Sequence, residues 1–139
     1  ETGFPAVPIW QPPPEESGYP LRMVTPKSRH YTHSQSNLPP LAGREAQALT
    51  IHPRDAAARG IADGAMVRVH NPRGEGHVAV RLSEAIMPGV VSLPEGIWVE
   101  LDEDGRDRGG SANMFTSTEG TSPAVANIMH GMNVEVTST

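Results

Sequence analysis

The chain contains no cysteine among its 139 residues. Disulfides, thiolate catalysis and iron–sulfur ligation by its own side chains are therefore excluded. Aromatics are scarce: Trp10, Trp98, Phe4, Phe115, Tyr19 and Tyr31 are the full set, so a core must come mainly from Val, Leu, Ile, Met and Ala. No apolar run approaches the ~20 residues a spanning helix needs, and no direct membrane contact is expected. Positive charge is in the minority, with 11 Lys and Arg against 16 Asp and Glu and a net charge of −5. That balance opposes binding driven by phosphate neutralisation, so no nucleic-acid partner is expected. The serine nucleophile elbow, the phosphate loop ending in Lys, the zincin helix and the dinucleotide glycine fingerprint are also missing. No residue is nominated as catalytic or as a metal ligand.

What is abundant is turn chemistry, with 14 Gly and 14 Pro. Together with short alternating runs, this predicts a small β fold in one domain. Residues 1–20 hold six prolines and read as a connecting arm, expected to lie on a neighbouring domain. The start at Glu1-Thr-Gly-Phe-Pro has neither Met nor a basic region, and reads as a cut from a longer polypeptide. Residues 21–139 read as the folded domain. Strands are predicted at 21–25, 47–51, 65–70, 76–82, 90–93 and 132–137, with the inner face of the third in either the Met66 or the Val67 phase. One helix of about two turns is predicted over 52–60, with Pro53 at its first position and Gly60 as its left-handed stop. Residues 27–40 read as a polar functional loop, and the acidic run 94–110 as a long, solvated, flexible excursion. The composition points to a barrel rather than a doubly wound sheet.

Charge is distributed unevenly. Between Leu21 and Leu41 lie Arg22, Lys27, Arg29, His30 and His33 without one carboxylate. Thr25-Pro-Lys-Ser-Arg-His-Tyr-Thr-His-Ser34 gathers hydroxyls, two fixed positive charges and two imidazoles. Arg29 can fork onto a phosphate, Lys27 can supply a point charge, and Thr25, Ser28, Thr32 and Ser34 can satisfy ring nitrogens and oxygens. The competing reading is an ordinary basic surface loop. Ser111-Ala-Asn-Met-Phe-Thr-Ser117 is a second candidate, in which Asn113 offers a donor and an acceptor to a heterocycle edge and Thr116 adds a hydroxyl. Its competing reading is a turn in which Asn113 bonds its own backbone, with Met114 and Phe115 as core pegs. The spacing of His30 and His33 suits a metal, but no third ligand is selected by spacing. Gly110-Ser111 invites comparison with self-cleaving pyruvoyl enzymes, although it lies far from the chain start, where those cut.

In this order the residues resemble the molybdopterin-dinucleotide-binding domain that closes enzymes of the dimethyl sulfoxide reductase superfamily. The landmarks are Leu21-Arg-Met-Val-Thr-Pro-Lys-Ser-Arg-His30, Ile51-His-Pro-Arg-Asp-Ala-Ala-Ala-Arg-Gly-Ile-Ala-Asp-Gly64, Val67-Arg-Val-His-Asn-Pro-Arg-Gly74, Ile86-Met-Pro-Gly-Val-Val91, Asn113-Met-Phe-Thr-Ser117 and the stretch from His130 to Val136. The resemblance implies a mainly β fold, a six-stranded double-psi barrel with one or two short helices. It implies a parent oxidoreductase holding two molybdopterin guanine dinucleotides around molybdenum or tungsten, in which an iron–sulfur cluster in other domains is compatible. The implied partners are that cofactor and the other domains of the same polypeptide, and the fragment alone is expected to show no turnover. It nominates Thr25, Lys27, Arg29, His30, His33, Ser34, Asn113, Thr116 and His130 as cofactor contacts. The compartment stays open between bacterial cytoplasm and periplasm, with the cytoplasm favoured. The same barrel also serves as a protein- or substrate-binding module at the amino end of certain ATPases, which is the alternative reading; a structural lid that has lost its contacts is another.

Overall fold

A computed structural model describes residues 3, 7, 9, 16–28, 32–37, 48–120, 125–127 and 131–139. The expectations placed on Arg29, His30 and His130, and on most of the proline-rich arm, lie outside the described residues.

Alternation decides the strands. β1 is Leu21–Val24, β2 Ala48–Ile51, β3 Met66–Asn71, β4 Gly74–Leu82, β5 Val90–Ser92 and β6 Met132–Ser138. Every second residue points inward, burying Leu21 and Met23, Leu49 and Ile51, Val67 and Val69, Val78 and Val80, Val91, then Met132, Val134 and Val136. The inner phase of β3 is that of Val67; Met66 is 49% exposed. Phe115, Leu93, Ile61, Ala56 and Ala112 complete the core.

The strands close into a barrel in the order β1-β5-β2-β4-β3-β6. β1 runs parallel to β5 and β2 parallel to β4, while the other four neighbouring pairs are antiparallel. Parallel neighbours cannot be joined by a tight hairpin, so the chain must cross over to reach them. Exchanging β1, β2 and β3 with β4, β5 and β6 leaves both the order and the directions unchanged. This is the double-psi arrangement.

The only α-helix among the described residues, α1, spans Pro53–Ala57, shorter than the predicted two turns. His52 caps it, its Nδ1 accepting from the Arg54 amide at 3.1 Å. The chain then tightens: the Gly60 amide donates to the Ala57 carbonyl and the Ile61 amide to that of Ala56. With Gly60 at φ +66, this is a Schellman stop, which returns Ile61 to the core. Asp63 secures the following turn by accepting from the Leu82 amide at 2.8 Å.

Two expectations are corrected. The polar loop contains a 3-10 turn, His33–Asn37. The acidic run is not a fully solvated excursion. Residues Gly76 and Leu101 each make a strand-like bridge to Asp107, and Asp107 is wholly buried with its carboxylate satisfied by backbone amides. A carboxylate enters a low-dielectric interior when such donors replace its water. No helix among the described residues is long and apolar enough to cross a membrane.

Candidate functional site

The rim that carries the segments following β1 and β5 is stitched by backbone bonds. The Leu93 amide donates to the Val24 carbonyl and the Glu95 amide to the Pro26 carbonyl, both at 3.0 Å. Thr25 is buried within this stitch. Lys27 is exposed, and its Nζ lies 3.4 Å from His33 Nε2. On the other side of the ring, His33 Nδ1 is 3.1 Å from Glu95 Oε1. An ammonium has no lone pair, so Nε2 is the acceptor in the contact with Lys27. Glu95 Oε1 is buried and makes no hydrogen bond among the described residues, so the Nδ1 contact is one of proximity alone. The His33 ring thus stands between Lys27 and Glu95. His33 also adopts φ +48, a left-handed conformation that costs a non-glycine residue about 1–2 kcal/mol. Its carbonyl packs on Gly96, where a Cβ would lie 2.5 Å from that oxygen.

Immediately beside this chain of contacts lies a cleft of about 230 Å³, lined by Ser34, Gly96, Trp98 and Asn113, with Ser111 and Ala112 at its base. Two stretches almost eighty residues apart in sequence therefore meet on one rim. The second stretch is a 3-10 turn, Ala112–Phe115, pinned from below by the buried Phe115. Asn71 at the end of β3 holds it, donating from Nδ2 to the Phe115 carbonyl at 2.9 Å. Arg73 Nε donates to the same oxygen at 2.8 Å, while its Nη1 pairs with Glu16 at 2.6 Å. Residues 16–20 thus lie on the barrel itself, and the Tyr19 carbonyl accepts from Asn133 at 2.9 Å.

Asn113 is exposed and also borders a second hollow of about 520 Å³, shared with Arg73, Thr116 and Glu119. The Thr116 hydroxyl donates to the Asn113 carbonyl at 3.0 Å, so this hydroxyl orders the turn. The expected turn is present, and Asn113 is exposed where it borders both hollows. Of the predicted site residues, Ser34 and Asn113 share one cleft, Thr116 joins Asn113 at the next, and Thr25, Lys27 and His33 flank them. Arg29, His30 and His130 lie outside the described residues. Among the described residues no three His, Cys, Asp or Glu side chains converge to hold a metal ion.

Sequence reasoning missed Trp98, Ser111, Asn71 and Asp107. Trp98 was legible as a tryptophan in a polar run. Asn71 acts through a bond forty-four positions away, whereas Asp107 and Ser111 bond each other within one loop, where nothing in the acidic composition sets the buried member apart.

A closed six-stranded double-psi barrel with amide, hydroxyl and ammonium donors on one rim defines a small binding domain. Residues 21–134 match the family model described as Molydopterin dinucleotide binding domain, and the chain belongs to that family. It is 40% identical over 129 residues to the trimethylamine-N-oxide reductase of Haemophilus influenzae, covering 83% of this chain and 16% of that protein. It is 41% identical over 133 residues to the dimethyl sulfoxide/trimethylamine N-oxide reductase of Cereibacter sphaeroides, covering 85% and 16% respectively. The chain thus spans about a sixth of these curated relatives. Among solved structures, acetylene hydratase from Pelobacter acetylenicus superposes with a TM-score of 0.70 at 19% identity, over 87% of this chain and 18% of that one. This last likeness concerns the fold.

Proposed function

We propose that this barrel grips a molybdopterin guanine dinucleotide as one domain of a longer molybdenum- or tungsten-dependent oxidoreductase. One observation carries the reading: Ser34 and Asn113, from the two polar stretches, line the same cleft. The donor set suits the group. Amide and hydroxyl side chains match the alternating acceptors and donors of a heterocycle edge, and Lys27 supplies a point charge for a phosphate. A cleft of about 230 Å³ is below the ~300–1,000 Å³ of a typical complete ligand pocket. It seats one ring of an extended cofactor, with the hollow beyond Asn113 continuing the track. The remaining walls belong to other domains of the same polypeptide.

When bound, the cofactor supplies the oxygen-atom, hydride or electron transfer of the parent enzyme. This chain's own residues bind and orient. Asn113 and Ser34 present hydrogen-bonding groups to the ring edge, Thr116 keeps the Asn113 backbone in place, and His33 Nε2 orients the Lys27 ammonium. Thr25 holds the loop, and Arg29, His30 and His130 are proposed to add contacts. The fragment by itself performs no turnover.

The test uses the full-length protein with Asn113→Ala and Ser34→Ala, each scored by chromatography of the nucleotide and pterin released on denaturation. At least a tenfold loss of bound cofactor in the double variant is expected with the fold intact. Wild-type cofactor content in a folded double variant would overturn the reading.

A further inference from the structure

The acidic run between β5 and the second 3-10 turn contains one carboxylate that behaves unlike the others. Asp107 is 0% exposed. Its Oδ1 accepts from the Glu100 amide at 2.9 Å and the Gly109 amide at 2.9 Å. Its Oδ2 accepts from the Ser111 amide at 2.6 Å. Its own carbonyl accepts from the His77 amide of β4 at 2.7 Å. One residue is therefore bonded at once to the barrel and to two other strands of loop.

Those strands are the walls of the cleft. Gly96 to Val99 form one side, ending at the Glu100 amide that Asp107 holds; Ser111 to Asn113 form the other, beginning at the Ser111 amide that it also holds. We infer that Asp107 is a positioning residue that sets the separation of the two cleft walls. The inference rests on the cofactor reading of that cleft and names the device by which the chain keeps it at one width.

The chemistry asks for aspartate in particular. Three N–H donors converge on two carboxylate oxygens, an acceptor-only group. Asparagine would turn an NH₂ toward an N–H, and glutamate would add a methylene where the space is closed. The packing leaves little slack. A Cβ on Gly109 would collide with the Trp98 carbonyl, and one on Gly76 would lie 3.3 Å from the Phe115 ring. Clamp, wall and barrel are in direct contact, so a change at Asp107 is transmitted to Trp98 on one side and Asn113 on the other.

A role in folding alone is the competing explanation, and the experiment must separate the two. In the full-length protein, Asp107→Asn and Gly109→Ala are compared with wild type for pterin dinucleotide content per folded molecule, for its rate of loss after dilution, and for thermal midpoint. Amide hydrogen exchange is followed at Glu100 and Ser111, with Val69 and Val78 as barrel references. Positioning predicts cofactor loss at least tenfold faster, with exchange raised at Glu100 and Ser111 and unchanged in the barrel. Gly109→Ala keeps the carboxylate and wedges the Trp98 wall outward, so it carries the test if Asp107→Asn does not fold. A folded variant of either kind that releases cofactor within twofold of the wild-type rate overturns the inference, even if its midpoint has fallen. Wild-type protein holding no pterin dinucleotide brings down the cofactor reading first, and the inference with it.

Discussion

Gly64 and Gly131 occupy matching places in the two halves of the barrel. Both have φ +76. The Gly64 amide donates to the Val80 carbonyl at 2.9 Å and the Gly131 amide to the Met23 carbonyl at 3.0 Å. Val80 pairs in parallel with Leu49, and Met23 in parallel with Val91. Each glycine thus turns the chain into a strand, β3 or β6, by donating to β4 or β1 respectively, the two strands that the same exchange interchanges. The same exchange superposes the buried Val67 and Val69 on Val134 and Val136.

Left-handed backbone penalises any Cβ by about 1–2 kcal/mol. Gly64→Ala and Gly131→Ala are therefore each expected to lower unfolding free energy by about that amount in urea titrations. Matching costs would support the equivalence. A neutral result at either position would break it.

The phase of β3 is open to a simple comparison. Val67→Ala at a fully buried position of β3 should cost about 1–3 kcal/mol, whereas Met66→Lys on the outer face should stay within ~0.5 kcal/mol. Chemical denaturation of both variants checks the assignment.

Most of the fold could be read from residue patterns. Six runs of alternating apolar residues announced six strands, and Pro53 and Gly60 marked the two ends of a helical stretch. The strand order was not readable this way, because β1 beside β5 and β2 beside β4 are pairings between distant segments. Period-two patterning says which face is inward and nothing about the neighbour. Barrel topology came instead from family resemblance. The candidate site was half legible. Side-chain chemistry singled out Ser34 and Asn113, but the buried Asp107 was hidden among Asp102, Glu103 and Asp104, where composition alone spells a wet surface. Asn71 was hidden for a different reason: an Asn before Pro reads as a turn, and its bond to the Phe115 carbonyl spans forty-four positions.

Acid should weaken the fold partly through His70. Burial holds its pKa below the ordinary 6.5, the neighbouring Arg68 lowers it further, and Glu135 and Glu75 pull the other way. Its ring meets Tyr19 edge-on, with centroids 5.7 Å apart. The folded state therefore favours the neutral ring, while the unfolded chain takes up a proton near the ordinary value. The resulting stabilisation is present above pH 6.5 and is lost as the pH falls through the depressed folded value. Unfolding titrations across that range should show a downward slope that His70→Gln reduces.

Trp98 offers an optical report on the cleft. It is 54% exposed and lines the wall opposite Asn113. An aromatic heterocycle seated there should change its emission, and Trp98→Phe should remove that change. Comparing the emission of cofactor-loaded and cofactor-depleted full-length protein makes the test. Equal loaded-minus-depleted difference spectra in wild type and Trp98→Phe would place the ligand elsewhere.

Because the six strands form a ring, each backbone ladder is already used on both flanks. A neighbouring polypeptide cannot join this sheet by adding a strand, and the usual template for edge-to-edge aggregation is absent. Recognition is left to side chains and loops on the rims. Loop sequence can therefore change what is gripped with little disturbance to the hydrogen-bonded frame beneath.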